Sequence, residues 1–349
     1  MLEFWIFLSS GLFLGWSLGT QDASNIFGTA VGTRMIKFRT AAFIASIFII
    51  LGAVAAGGGA ASTLNHLGAV NAPAGAFMVG LAAALTIYWM TKSKISVSTS
   101  QAVVGSIIGW NFYSGKPTDY GILLKIVSTW VVCPLLAGVI AVLLFKLVKF
   151  VIAKSKISLL RQDFYTRIGL VVAGAFGAYA LGANNIANVM GVFIDSNRLQ
   201  PLNFGGWLAL NSTQVLFLLG AVAIAVGVCT YSQKIIQTVG RGIMQMSPLA
   251  AFVVVLSQGV VLFLFASPEL HEFLSNHNLP AIPLVPVSSS QAVIGSVIGI
   301  GILKGGQGVN WPIIGKIFIG WIATPIIAAA VCFICLFFLE NVFMQTVFR

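Results

Sequence analysis

Two short polar strings, each present twice, contain the residues of this chain that could do chemistry. The first string, called asparagine-rich below, holds four asparagines and one aspartate across its two copies; it occupies residues 19–28, which include the aspartate, and recurs at 182–191. The second string places serine and threonine before a glutamine; it occupies residues 97–106 and recurs at 287–296. The surrounding sequence is strongly apolar. Polar groups repeated at matching positions in two halves predict a polar path at the interface between two repeats.

The composition of the chain indicates the environment in which these strings lie. Charged residues make up 8% of the 349 residues, hydrophobic residues make up 58%, and the mean hydropathy is +0.99. A soluble domain carries about 25% charged residues. We therefore predict an all-α polytopic membrane protein, multi-pass in the cell (plasma or inner) membrane. An aspartate at the centre of a membrane costs about 2.5–3.5 kcal/mol on the insertion scale, so a polar string there needs a function.

Ten apolar segments are candidate membrane-crossing elements. They lie at 4–26, 40–60, 76–91, 98–114, 121–145, 168–191, 206–228, 246–266, 287–303 and 311–339. If the loop holding Arg34 and Arg39 is cytoplasmic, alternation places most other basic residues on the same side, as the positive-inside rule requires. The basic residues left outside are Lys116, Lys125, Arg198 and Arg349. Both termini are then outside, and the net charge of +11 reflects topology, with no nucleic-acid partner expected.

The number of crossings between the copies sets their symmetry. Five elements precede the second asparagine-rich string, so that string enters the membrane in the opposite direction. We predict two inverted repeats of about five membrane-crossing elements each: 1–145, then a basic cytoplasmic linker at 146–167, then 168–349. A straight span needs about 20 residues, and shorter segments predict discontinuous or re-entrant helices. The short segments are 76–91, 98–114 and 287–303.

The serine-rich strings have the sequence of helix starts. Ser98 with Gln101, and Ser288 with Gln291, have the S-x-x-Q spacing of a capping box. A helix N-terminus presents unpaired N–H groups and partial positive charge, which suit an oxyanion. The alternative is that each string only caps an interfacial helix; two copies on inverted repeats favour binding. The predicted substrate-binding residues are Ser98, Thr99, Ser100, Gln101, Ser288, Ser289, Ser290 and Gln291.

The asparagine-rich strings predict a cation site. Asp22 and Asn25 are three residues apart and share a helix face, and Asn185 and Asn188 repeat that spacing. Such oxygens, helped by carbonyls of a locally opened helix, coordinate Na⁺ in transporters. Asparagines that only join helices by hydrogen bonds are the alternative. The predicted cation-binding residues are Asp22, Asn25, Asn184, Asn185 and Asn188, with Na⁺ at Asp22, Asn25, Asn185 and Asn188.

At these four strings the chain resembles the inorganic phosphate transporter (PiT) family of cation–phosphate symporters, which also includes sulfate permeases. The family's marks are two GANDxAN-like and two P-x-S-[ST]-[ST]-H-like segments, which correspond here to 19–25, 182–188, 96–101 and 286–291. Thr238–Gly240 is similar to a further family segment. The resemblance implies a homodimeric carrier that binds its oxyanion at the opposed Ser/Thr helix tips and its cations on the asparagine-rich strings.

Three departures from the family pattern bear on substrate and coupling. Gln21 stands where the family has Asn, Asn185 where it has Asp, and Gln101 and Gln291 where it has His. The missing carboxylate predicts weaker Na⁺ coordination, with fewer coupled ions or with protons bound at Asp22. A site of donors alone suits sulfate, whereas monohydrogen phosphate benefits from an acceptor such as Asp22. Phosphate is the first expectation and sulfate stays open.

The predicted function is secondary active transport of inorganic phosphate, coupled to Na⁺ or H⁺, by alternating access. A sulfate permease of the same family and an anion channel on the same scaffold are the alternatives. An enzyme is not expected, because catalysis would need His, Cys or paired acids facing one another in the core, and the predicted core holds one Asp and no His. No cofactor is expected beyond the coupling ion.

Overall fold

The computed structural model describes residues 2–68, 70–93, 97–155, 157–205, 208–230, 232, 246–306 and 308–349. Within these ranges the chain forms twelve α-helices, a short 3₁₀ turn at Gly191–Phe193, and one antiparallel hairpin of β1 (Leu202–Phe204) and β2 (Leu208–Leu210). The helices are α1 (Leu2–Gly32), α2 (Phe38–Ala56), α3 (Gly58–Gly68), α4 (Pro73–Lys92), α5 (Thr99–Ser114), α6 (Tyr120–Ser155), α7 (Leu159–Met190), α8 (Ser212–Thr230), α9 (Pro248–Leu264), α10 (Pro268–Asn276), α11 (Ser289–Leu303) and α12 (Trp311–Asn341).

The helix lengths confirm an all-α polytopic membrane protein. Six of the described helices, α2, α4, α6, α7, α8 and α12, are long and apolar enough to cross a membrane. A seventh span results if α9 and α10, which meet at a 63° bend, count as one broken element. By contrast, α5 has 16 residues and α11 has 15, so each is only about 22–24 Å long against a hydrocarbon core of about 30 Å. These two short helices carry the serine-rich strings.

The structure corrects three of the predicted segments. The crossing expected at 40–60 ends at Ala56, and a separate helix, α3, follows Gly57. The crossing expected at 206–228 starts later, at Ser212, because residues 208–210 pair with β1 as a hairpin strand. Most of the linker expected at 146–167 is helical: α6 continues to Ser155 and α7 starts at Leu159. Apolar residues between the lysines extend α6, and Ser158 caps α7 by accepting from the Arg161 N–H at 3.4 Å.

Helices of the first half pack mainly against helices of the second half. α5 packs along α12 and α11 packs along α6, while α2 packs along α7 and α1 along α8. The serine-rich strings make α5 equivalent to α11, and prolines inside α6 and α12, Pro134 and Pro325, lie at equivalent positions of the duplication. The α5–α12 and α11–α6 contacts are therefore one interface formed twice, with the partners exchanged between the halves.

Close backbone approach at two glycines defines this repeated interface. A Cβ atom at Gly105 would lie 2.2 Å from the carbonyl oxygen of Pro325, and one at Gly295 would lie 2.1 Å from that of Pro134. Real Cβ atoms essentially never come so close. Small residues allow helices to approach in this way in membranes. The two short helices are thus each held against a long, proline-containing helix by the same contact.

Replacing either glycine tests that packing. Gly105→Ala and Gly295→Ala are each expected to lower the free energy of unfolding by about 1–3 kcal/mol, as overpacking does in other cores, because the helix backbones must move apart. Thermal unfolding of purified protein in detergent measures the change. Gly315→Ala in α12 is the matched control, since no described atom lies within 4 Å of a Cβ there. An equal loss in the control would contradict the packing argument.

Two sets of contacts join basic residues that the predicted topology places on the same side of the membrane. The Lys116 ammonium donates to the Arg349 carbonyl oxygen at 2.7 Å, and both residues were assigned to the outer side. Lys149 and Lys304 both lie over the ring of Phe145, at 5.3 and 5.6 Å, and both lysines were assigned to the inner side. The contacts join residues of one predicted side to each other. The orientation of the termini across the membrane stays a prediction.

Candidate substrate and cation site

Helices α5 and α11 begin with the same cap. Ser98 Oγ accepts from the Gln101 backbone N–H and Ser288 Oγ accepts from the Gln291 backbone N–H, both at 3.3 Å. The predicted helix starts are therefore present. The reciprocal half of each capping box is not formed, because the Oε1 atoms of both glutamines are buried and without a hydrogen-bond partner among the described residues. The glutamine side chains are thus left for another role.

The two helix starts are in direct contact. Ser100 Oγ donates to the Val287 carbonyl oxygen at 3.2 Å, and Ser290 Oγ donates to the Val97 carbonyl oxygen at 3.3 Å. Each serine therefore bonds the residue that precedes the N-cap of the opposite helix. All eight residues predicted to bind substrate are buried, with at most 2% of their surface exposed. The two N-termini meet inside the helical bundle, which is the geometry that shared binding of one anion requires.

Asp22 lies against both helix starts. Its Oδ2 accepts from Thr99 Oγ1 at 2.9 Å, and the Ser289 hydroxyl lies beside the same carboxylate without a hydrogen bond of regular geometry. Asp22 is 2% exposed. In the described part of the chain the one salt bridge joins Arg167 and Asp163, so no basic side chain there neutralises Asp22. A buried charge without a partner is strongly unfavourable, and this site therefore calls for a bound cation or a proton.

The second asparagine-rich string reaches the first serine-rich helix start. Asn188 Nδ2 donates to Ser100 Oγ and to Asn185 Oδ1, both at 2.9 Å. Asn184 instead bonds backbone groups on either side of Pro286. Its Nδ2 donates to the Val285 carbonyl oxygen at 3.0 Å, and its Oδ1 accepts from the Val287 N–H at 2.8 Å. Asn184 thus holds the extended segment that leads into α11, a structural role that differs from the helix-joining alternative considered for it.

Removal of the Asn184 amide tests this anchoring role. Asn184→Leu leaves the Val285 carbonyl and the Val287 N–H buried and unpaired, and each lost partner costs about 1–3 kcal/mol. We expect a lower unfolding temperature and faster hydrogen exchange of residues 284–288, with little change elsewhere. Hydrogen exchange read by mass spectrometry measures both. Unchanged protection of residues 284–288 would show that Asn184 does not hold this segment.

Two further expectations are modified by the structure. α1 and α7 continue without a break through Asp22 and Asn185, so the locally opened helix expected at the cation site is not present. Asn25 is half-buried, and its side chain makes no hydrogen bond to a described residue, so it is available as a ligand but is not joined to the other predicted cation-binding residues. Thr238–Gly240 lies outside the described residues.

Ser257 and Gln258 are two neighbouring polar residues in α9. Ser257 Oγ lies 2.8 Å from Ser296 Oγ of α11, which is a helix-joining contact. Gln258 is fully buried, and both of its side-chain polar atoms are without a partner in the described structure. A glutamine in an otherwise apolar helix is the sequence signal that identifies such a residue. Cys133 also approaches the site, with its Sγ 3.7 Å from the Ser288 carbonyl oxygen. Because Cys133 lies within an apolar helical sequence, nothing in the sequence predicts that contact.

The fold and the site together are those of a membrane transport protein. A bundle of membrane-crossing helices encloses two opposed helix N-termini and a carboxylate that lacks a basic partner among the described residues. The family model described as the phosphate transporter family matches residues 18–332 and 277–348. The chain belongs to the phosphate transporter family.

Relatives with curated descriptions agree with this assignment. Three are each described as a "putative phosphate permease". The protein of Methanocaldococcus jannaschii is 27% identical over 317 residues, covering 91% of each chain. The protein of Haemophilus influenzae is 25% identical over 424 residues and covers 97% of each chain. The protein of Thermococcus kodakarensis is 23% identical over 396 residues, covering 92% of this chain and 94% of its own.

A solved structure has the same fold. It is described as the sodium-dependent phosphate transporter, and it superposes with a TM-score of 0.73 at 23% sequence identity, covering 97% of this chain and 100% of its own. At this identity the likeness establishes the fold.

Proposed function

We propose that this protein is a secondary active transporter that carries inorganic phosphate, coupled to Na⁺ or H⁺, by alternating access between two inverted repeats. One observation carries the proposal: the N-termini of α5 and α11 bond to each other through Ser100 and Ser290, beside Asp22. An anion between these helix starts would face first-turn N–H groups and partial positive charge from both. Two opposed helix ends can hold an oxyanion without an arginine, and can release it.

The hydrogen-bond inventory of the site favours phosphate over sulfate. Three buried acceptors at the site, Gln101 Oε1, Gln291 Oε1 and Asn188 Oδ1, are without a partner among the described residues. Monohydrogen phosphate has a P–OH group that needs an acceptor, whereas sulfate at neutral pH has only acceptor oxygens. Burying an unpaired acceptor costs about 1–3 kcal/mol. The single P–OH group of monohydrogen phosphate can pair one of the three acceptors and sulfate can pair none, so the sulfate permease is the weaker alternative.

Cation coupling follows from the charge at Asp22. A phosphate anion next to an ionised, unpaired carboxylate is repelled, so anion binding favours a state in which Asp22 holds a cation or a proton. When the anion leaves the site, the cation or proton at Asp22 loses a favourable neighbour. Release of the anion therefore favours release of the coupling ion, and the transport of the two is linked. Thr99 belongs to the first serine-rich helix start and donates to Asp22, so the proposed anion site and the proposed cation site share this residue. Na⁺ at Asp22, with Asn25 as a neighbouring oxygen, and a proton on Asp22 are the two forms of this proposal.

The exchanged helix pairs support inverted repeats. α5 with α12 and α11 with α6 are equivalent interfaces, and rocking of such equivalent halves about a fixed site gives alternating access. We extend the proposal to a homodimer in the cell membrane with both termini outside, as the resemblance and the charge distribution imply. The exposed apolar faces of α6 and α12 provide surface for lipid or for a second subunit.

Uptake into proteoliposomes tests the function. Purified protein is reconstituted, and radiolabelled phosphate or sulfate uptake is measured under imposed Na⁺ or pH gradients. We expect phosphate uptake that one of the two gradients drives, with little uptake of sulfate. Absence of uptake of either anion under any gradient would contradict transport. Anion flux that no gradient drives and that far exceeds carrier turnover would instead establish the channel.

A further inference from the structure

The directions of the hydrogen bonds in the second asparagine-rich string are fixed by one backbone carbonyl. Ser100 has a single hydroxyl proton, and it donates that proton to the Val287 oxygen at 3.2 Å, an atom that can only accept. Ser100 Oγ must therefore accept in its contact with Asn188 at 2.9 Å, which identifies the Asn188 atom as Nδ2. The same Nδ2 donates to Asn185 at 2.9 Å, so the Asn185 atom in that contact is its carbonyl oxygen.

This series of bonds ends in an unpaired donor. The Asn185 side chain turns its oxygen toward Asn188, and its Nδ2 group is left without a partner among the described residues. Asn185 is 1% exposed, so bulk water does not satisfy the group. An amide NH₂ has two donor hydrogens and no lone pair for a metal ion. The group that Asn185 presents therefore attracts the oxygen of an anion and repels a cation.

The equivalent residue of the first repeat has the opposite chemistry. Asp22 occupies the position in 19–28 that Asn185 occupies in 182–191. Its carboxylate offers only acceptors, and Thr99 donates to it. The first repeat thus brings an acceptor into contact with Thr99, and the second brings a donor next to Asn188, which bonds Ser100. A duplicated site that had kept two cation-binding halves would present acceptors on both sides.

We propose that Asn185 is a substrate-binding residue whose free side-chain N–H donates to an oxygen of the bound phosphate. This inference rests on the proposed function and replaces the expectation that Asn185 ligates Na⁺. Asn188 acts as a positioning residue, because its amide orients that of Asn185 and ties it to Ser100. The cation-binding half of the site is then the Asp22 half alone.

Two substitutions at Asn185 separate a phosphate donor from a cation ligand. Uptake is measured in proteoliposomes under the gradient that drives the wild type. Asn185→Ala should raise the KM for phosphate at least about tenfold, because losing a hydrogen bond to a charged group corresponds to about that factor. The KM for the cation should stay unchanged. Asn185→Asp should raise the KM for phosphate further, because it replaces a donor by a negative charge. The rise in unfolding temperature that phosphate produces should shrink in both variants.

Asn211→Asp is the matched control. Asn211 is exposed and caps α8 by accepting from the Gln214 N–H at 2.8 Å, and aspartate caps helices equally well. The same change of charge outside the site should therefore leave both KM values unchanged. A lower phosphate KM in Asn185→Asp, or a raised cation KM with an unchanged phosphate KM in Asn185→Ala, would overturn the inference and leave the proposed function intact. Failure of the wild type itself to transport phosphate would count against the proposed function.

Discussion

Asp22→Asn is expected to abolish cation-coupled phosphate uptake in a protein that remains folded. The amide keeps the size of the side chain and an oxygen that can accept from Thr99 at the 2.9 Å contact. It removes the negative charge to which the proposal assigns the coupling ion. Hydrogen bonds to a charged group contribute about 1.5–3 kcal/mol, so loss of the full charge should lower the apparent affinity for the cation by at least about tenfold to 150-fold, which abolishes coupled uptake at cation concentrations that drive the wild type. Uptake under the driving gradient measures the loss, and thermal unfolding in detergent verifies the fold.

Asp163→Asn is the control for charge removal outside the site. Asp163 forms an exposed salt bridge with Arg167 at 3.3 Å, with 53% of each side chain accessible, and such pairs contribute little to stability. Uptake by this variant should match the wild type. Normal cation-dependent uptake by Asp22→Asn would rule out the role assigned to Asp22 and would require another site for the coupling ion.

Ser100→Ala combined with Ser290→Ala is expected to separate the two helix starts. Each serine donates to the backbone that precedes the opposite cap, so the double variant removes both bonds and leaves two buried carbonyls unpaired. The free energy of unfolding should fall by about 1–3 kcal/mol for each carbonyl left unpaired. Because both bonds span one contact, the two effects should not simply add. The KM for phosphate should rise about tenfold or more, since the anion site exists only while the tips are together.

Ser128→Ala controls for removal of a hydroxyl. Ser128 Oγ bonds only its own helix, at the Lys125 carbonyl oxygen, 2.8 Å away. Its loss should leave phosphate uptake and the unfolding temperature nearly unchanged. If the double variant retained wild-type phosphate affinity, the serine-rich strings would act only as helix caps, and the anion would have to bind elsewhere.

The local features of the site could be read from the sequence because they depend on short-range rules. A serine three residues before a glutamine predicts a helix start, and Ser98 and Ser288 form such caps. The shortness of α5 and α11 follows from the length of their apolar runs. Duplication of both strings also indicated that their residues would lie together, and Asp22 contacts Thr99 while Asn188 contacts Ser100. These predictions need only the geometry of one helical turn and the thickness of a membrane.

The contacts across the molecule could not be predicted in this way. The bonds from Ser100 to Val287 and from Ser290 to Val97 join residues 187 and 193 positions apart, and they depend on how α5 and α11 pack against α12 and α6. Asn184 and Asn185 are neighbours in one asparagine-rich string, yet Asn184 bonds backbone groups and Asn185 has a side-chain donor that no described residue pairs. A helix rotates adjacent side chains by about 100°, so their roles depend on which neighbour each one meets.

A structure of the protein with bound phosphate, determined by cryo-electron microscopy or crystallography, tests the central claim most directly. We predict one tetrahedral anion between residues 98–101 and residues 288–291, within hydrogen-bond distance of first-turn N–H groups of both helices. The anion would also accept from Asn185 and lie beside Asp22. Phosphate bound at a different place in the bundle, with the two serine-rich helix starts in contact with no ligand, would contradict the account.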